Sequence, residues 1–295
     1  MSNQNPKSES MKGAYKLAQE LLQDRLKEVN PEAYEDLKGI TESDVIVVKG
    51  TYDFIEQVLS LSDIPFKEVT PAALGQAELR PDQIIFINCP GEINRSGISK
   101  IERFVSAGGF LFTTDWALKH VLEKAFPGYV EYNQKPTKDE VVRVEIIDIE
   151  DPFLKSILGP EDDPQWWLEG SSYPIKILNN EKVHVLVSSK EIKEKYGESP
   201  VFISFDYGQG KVYHMISHFY LQRSETRTKR QGLSAKTYME EKNIPDALRA
   251  KYESLGINSA KLGDVESAFT SSAMMNKILY DKRQNMKKKR TDDGE

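Results

Sequence analysis

The chain has a single cysteine, Cys89, among 295 residues. No internal disulfide can form, and a reducing compartment is the expected setting. No apolar run is long enough to span a bilayer. The opening stretch, "MSNQNPKSES", has no apolar core and does not read as a secretory signal. An excess of positive charge is missing too. The formal net charge is −6, which gives no reason to expect a nucleic-acid partner. No internal repeat is present. These absences leave a soluble cytoplasmic protein, with enough chain for one large α/β domain and its extensions.

What is present divides into three parts. Residues 1–43 read as a disordered start (1–10) followed by an amphipathic helix, Met11 to Leu26. Tyr15, Ala18, Leu22 and Leu26 form its apolar stripe. That stripe packs either on the main domain or on another subunit. Residues 44–222 alternate strands and helices. "DVIVV", "FKEVT", "QIIFIN" and "FLFTT" read as strands. "TYDFIEQVLSL" reads as a helix with Tyr52, Ile55, Val58 and Leu59 inward. "RSGISKIERFVSAGG", capped by Ser96 or Ser99, and "ALKHVLEKAF" are two more. Unbroken β-branched and aromatic runs indicate strands covered on both faces. Their alternation with helices indicates a doubly wound, mostly parallel sheet flanked by helices, a flavodoxin-like three-layer sandwich.

After Gly128 the pattern adds antiparallel strands: "EVVRVEIID", "YPIKIL", "VHVLVSS", "PVFISFDY" and "GKVYHMIS". A short helix, "DPFLKSIL", starts at Asp151 with Pro152 at its first position. Residues 223–295 form a helical C-terminal extension. It opens with a charged loop, "RSETRTKRQGLS", and ends in a charged tail.

The order of elements from Asp44 to about Gln222 resembles the class I glutamine amidotransferase-like fold, in the broad sense that includes ThuA-like (trehalose-utilisation-like) proteins. The resemblance implies three chemical positions. The first is an oxyanion loop, which aligns with "INCPGEI" and brings in Gly91 and Glu92. The second is a nucleophile elbow, which aligns with Thr114-Asp115-Trp116, where no cysteine or serine stands. The third is a His-Pro-Glu end to a late strand. There His218 is present, but Phe219 and Tyr220 follow it, so the orienting glutamate is missing. Cys89 falls in the oxyanion loop rather than the elbow and reads as a small apolar filler. Glutamine hydrolysis by the usual Cys-His-Glu route is therefore not expected.

A residual site is expected from Gly91, Glu92, Asp115, Trp116 and His218, since these loops meet at the carboxyl ends of the strands. Asp115 reads first as a helix N-cap and second as a catalytic partner of His218. His214 and His218 share a strand face, but no set of ligands with metal spacing completes them, so no metal or other cofactor is expected. Trp166 and Trp167, placed in a loop, form either a sugar- or partner-binding surface or a core plug. Lys287–Arg290 is a solvated tail or a contact patch. The expected function is a non-catalytic binding or interaction module. A protein partner or second copy would be held by the terminal helices, and a small polar ligand is a further possibility. The alternative is a hydrolase or carbohydrate-modifying enzyme using Asp115 and His218.

Overall fold

The computed structural model describes residues 6–147, 151–157, 164–219, 229–241, 244–258 and 260–292. The strands are β1 (Val45–Val48), β2 (Lys67–Val69), β3 (Ile84–Ile87), β4 (Phe110–Thr114), β5 (Val130–Tyr132), β6 (Glu140–Arg143), β7 (Glu145–Ile146), β8 (Gln165–Leu168), β9 (Ile175–Ile177), β10 (Val183–Ser188), β11 (Pro200–Tyr207) and β12 (Gly210–Met215). Eight of them form one sheet in the order β2-β1-β3-β4-β12-β11-β10-β7. From β2 to β12 all neighbours are parallel. From β12 to β7 they are antiparallel. The parallel part has the doubly wound order 2-1-3-4-5, whose switch point lies between β1 and β3. Every residue of β1, β3 and β4 is buried. Their hydrophobic runs are thus covered on both faces, as the sequence pattern requires. Burial of a side chain such as Phe112 contributes about 2–3 kcal/mol.

The helices are α1 (Pro6–Val29), α2 (Pro31–Lys38), α3 (Ile55–Leu61), α4 (Arg95–Ser106), α5 (Glu123–Ala125), α6 (Pro152–Ile157), α7 (Lys190–Tyr196), α8 (Lys236–Glu241), α9 (Asp246–Ser254) and α10 (Leu262–Asp292). A π-helical turn, Leu118–Leu122, runs into α5. α1 lies along α10 and touches α3, while α4 packs against α5. Right-handed crossovers place α3 and α4 on opposite faces of the sheet. Tyr15, Ala18, Leu22 and Leu26 are all buried. The apolar stripe of α1 is therefore covered within this chain.

Several local expectations change. α1 begins at Pro6, so residues 6–10 are helical, and residues 1–5 lie outside the described set. Tyr52 stands before α3 and is 50% exposed, while Ile55, Val58 and Leu59 do point inward. α4 is capped by Asn94, whose side chain accepts from the Gly97 N–H at 2.9 Å; neither Ser96 nor Ser99 is the cap. Asp151 starts α6 as expected, accepting from the Phe153 and Leu154 N–H groups. Trp166 and Trp167 belong to β8, paired with β6, and both are buried. The basic run Lys287–Arg290 continues α10, and Lys287 pairs with Glu32 and Asp36 of α2. Part of the charged loop after Gln222, residues 223–228, lies outside the described residues.

Candidate functional site

Loops that follow β1, β3, β4, β8 and β12 meet at the carboxyl ends of the parallel strands, beside the switch point. They enclose a cavity of about 430 Å³. Thr51, Tyr52 and Phe54 come from the first loop and Cys89 from the second. Asp115 and Trp116 come from the third, Glu169, Gly170 and Ser171 from the fourth, and His218 from the last. The first two loops are tied together, since the Thr51 and Tyr52 N–H groups both donate to the Cys89 carbonyl, at 3.0 and 3.2 Å.

Asp115 occupies the turn between β4 and the π-helical turn, with φ of 45°. A non-glycine residue in that region stores about 1–3 kcal/mol of strain, which the surrounding contacts must hold. The contacts are visible. The Asp115 N–H donates to the Met215 carbonyl at 3.0 Å. The Tyr173 N–H donates to Asp115 Oδ1 at 2.8 Å, and Ser172 Oγ donates to Oδ2 at 3.1 Å. The carboxylate is thus turned toward the loop after β8. It does not cap the following helix, where Ala117 holds the cap position without a side-chain bond. The structure corrects the first reading of Asp115 on this point. Gly91, at φ of 71°, fits against this corner: a Cβ there would meet the Ala117 Cβ at 2.8 Å. Its freedom serves loop packing.

His218 lies two residues beyond Ile216, after Ser217, whose φ is 70°. That turn breaks the period-two alternation of β12. The shared strand face expected for His214 and His218 is therefore lost. His214 stays buried inside the sheet, its Nδ1 at 2.8 Å from Thr113 Oγ1, and burial pushes its pKa down to about 3. His218 is instead held from both sides. Its Nδ1 hydrogen-bonds Glu169 Oε2. Its Nε2 lies 3.3 Å from Asp115 Oδ2. Glu169 is itself fixed, since its N–H donates to Ser217 Oγ at 2.9 Å. Trp166 Nε1 donates to the Ile216 carbonyl at 3.1 Å, locking β8 under the same turn. From the other face, Tyr15 of α1 donates its hydroxyl to the Phe219 carbonyl, and Asp53 Oδ1 accepts from the Phe219 N–H.

Cys89 Sγ, an Asp115 carboxylate oxygen and a His218 ring nitrogen lie within 4.8 Å of one another, and all three residues are buried. Burial pushes the Cys89 thiol up. His218 and the Trp116 N–H pull against this, Asp115 adds to it, and the net direction is up. For His218, burial opposes the charged form. The close Asp115, Cys89 and Glu169, with the charge of Asp53, outweigh it and hold the imidazole well above its usual range.

Of the expected residues, Asp115, Trp116 and His218 face one cavity, with Trp116 as a wall. Gly91 lies behind that wall against Ala117, and Glu92 is exposed outside the cavity lining. Two participants escape sequence reasoning. Cys89, which reads as filler in the sequence, lines the cavity. Glu169, in "WWLEGSSY", supplies the carboxylate partner of His218 that the sequence order lacks. The only sequence signal for Glu169 is its place between a tryptophan pair and a Gly-Ser-Ser turn. Tyr52 extends the wall and meets Trp116 edge-on at 5.3 Å, while Tyr173, outside the lining, stacks on Trp116 at 5.5 Å.

No protein-family model matches this chain, and no curated protein does. Solved structures do overlap with it. The GH42 β-galactosidase Gan42B of G. stearothermophilus shares 14% identity over 58% of this chain and 27% of its own, with a TM-score of 0.38. This chain thus spans about a quarter of that protein. A putative ThuA-like protein from Bacteroides uniformis shares 11% identity over 59% of this chain and 82% of its own, at TM-score 0.42. A putative GMP synthase protein from Thermoplasma acidophilum shares 10% over 58% and 81%, also at 0.42.

Proposed function

We propose that this protein is a hydrolase for a small polar substrate with a flat or ring-shaped face, such as a sugar derivative. The observation that carries this is the buried His218, bonded to Glu169 through Nδ1 and facing Asp115 and Cys89 through Nε2, at the wall of an open cavity. A water molecule held where Asp115, His218 and Cys89 converge is the attacking group. Its oxygen bonds to the electrophilic carbon of the substrate as the bond from that carbon to the leaving group breaks; one water proton passes to the Asp115 carboxylate, and the His218 imidazolium gives the leaving group its proton. Cys89 is not the attacker. Its residue is 1% exposed, and its thiol is pushed up, whereas reactive cysteines sit in partly exposed, electropositive surroundings. Glu169 is a positioning residue, because it acts through His218. Tyr52 and Trp116 supply the faces on which a ring can stack.

A screen of the full chain against esters, amides, acetylated sugars and glycosides tests this, with Asp115→Asn alongside. Turnover of at least one class, lost in the folded variant, is expected. Turnover that survives Asp115→Asn unchanged, or none across the panel, contradicts it. A purely binding role is a second reading, favoured by the aromatic wall, with Tyr52 half exposed at the mouth. Ring ligands that bind without being turned over would support that reading. Assembly through the terminal helices, expected from the sequence, has less support, because α1 and α10 cover each other.

A further inference from the structure

The same cluster carries a sharper inference, which rests on the placement of the reacting centre above. His218 is 5% exposed, and its Nε2 is buried with no hydrogen bond beyond its loose approach to the Asp115 carboxylate. That is unusual, because buried polar atoms are almost always satisfied. The nitrogen is not poorly placed. It faces a carboxylate oxygen at 3.3 Å and a cysteine sulfur, and the three donor atoms lie within 4.8 Å of one another. A nitrogen, a sulfur and an oxygen aimed at one point from three different loops form a ligand set, to which a metal binds by displacing the protons of the His218 Nε2 and the Cys89 thiol.

We propose that Cys89 Sγ, an Asp115 carboxylate oxygen and His218 Nε2 bind a zinc ion, with the fourth position open to the cavity. The chemistry of the donors selects the metal. Magnesium and calcium take oxygen ligands, and a thiolate with an imidazole suits zinc. Three protein ligands plus one open position is the pattern of catalytic rather than structural zinc. Ligand bonds of about 2.0–2.3 Å converging tetrahedrally need only small closing movements from the observed separations.

The surroundings fit this role independently. A zinc-binding histidine donates its other ring nitrogen to a carboxylate or carbonyl, which fixes its tautomer and direction. Glu169 does this at Nδ1. Asp115 is oriented by the Tyr173 N–H and Ser172 Oγ, which keeps its carboxylate directed to the cluster. Among the described residues, this is the group of three or more histidine, cysteine or acidic side chains with metal spacing. His214, whose pairing with His218 the sequence raises, takes no part.

Metal analysis of the full-length protein after incubation with zinc and dialysis tests the site. About one zinc per chain is expected, with Cys89→Ser and His218→Ala each losing it. Cobalt(II) in place of zinc should give a thiolate-to-metal charge-transfer band, absent in Cys89→Ser. This readout needs no folded variant to establish the site in the parent. Glu169→Gln should still bind, about 10–100-fold more weakly. A folded parent that retains no zinc and shows no cobalt band, or zinc binding that is unchanged in both ligand variants, would overturn the proposal. Hydrolysis without bound metal sinks the zinc site and leaves the hydrolase reading. Bound metal without hydrolysis does the reverse.

Discussion

His214 and His218 are four residues apart on one strand and its extension, yet they obey opposite rules. His214 is sealed in the sheet with its Nδ1 against the Thr113 hydroxyl, and its pKa falls to about 3. Its folded pKa is depressed below the unfolded value of about 6.5. It therefore contributes stability above pH 6.5, and this is lost as pH falls toward 3, by about 1.4 kcal/mol per unit. His214→Gln should flatten that part of the denaturant-midpoint profile between pH 6 and pH 4. An unchanged slope would show that His214 is not buried neutral. The tryptophans separate in the same manner. Trp166→Ala should cost about 3–5 kcal/mol, since its ring is buried and its Nε1 holds the Ile216 carbonyl. Trp116→Ala should cost much less stability and show its effect as a raised KM, because Trp116 is a cavity wall. Urea titration and substrate kinetics on the two variants check this pair.

At the scale of elements, the parallel strands are legible because their residues are unbroken β-branched and aromatic runs, and that pattern has few other physical solutions. Runs such as "VIVV", "IIFI" and "FLFTT" appear in the structure nearly as written. β8 is not legible. "QWWL" is four residues long, flanked by prolines, glycines and acids, and its strand state depends on pairing with β6. The site divides along the same line. Asp115 and His218 sit at strand ends that sequence order can find. Glu169 reaches His218 across 49 residues, and only folding brings it there. Cys89 looks like filler because nothing local shows that a histidine and an aspartate will face it. A two-sided prediction belongs to α10. Lys277 is buried between Asp151 and Asp281. Lys277→Ala should cost about 3–5 kcal/mol, since two carboxylates are left without their cation. Thermal or urea unfolding measures it, and a loss below about 1 kcal/mol would show that the pairs are solvent-screened.

For the molecule as a whole, the terminal segments are structural parts of the domain rather than appendages. α10 lies along α1, and α1 holds Phe219, next to His218, through Tyr15. Deleting residues 262–295 should expose Tyr15, Leu22 and Leu26 and abolish cooperative unfolding. A truncated chain that still melts in one sharp transition would contradict this. The terminal helices thus connect the core to the site, and the site gathers five loops around one buried histidine. The proposed role of this cluster is chemical. The most direct measurement is kcat/KM of the parent and of His218→Ala on whichever substrate class the screen yields, with folding of both verified by circular dichroism. A fall of at least about 100-fold is expected, the lower range for a group engaged in proton transfer or water activation. A folded His218→Ala protein with parental kcat/KM would contradict it.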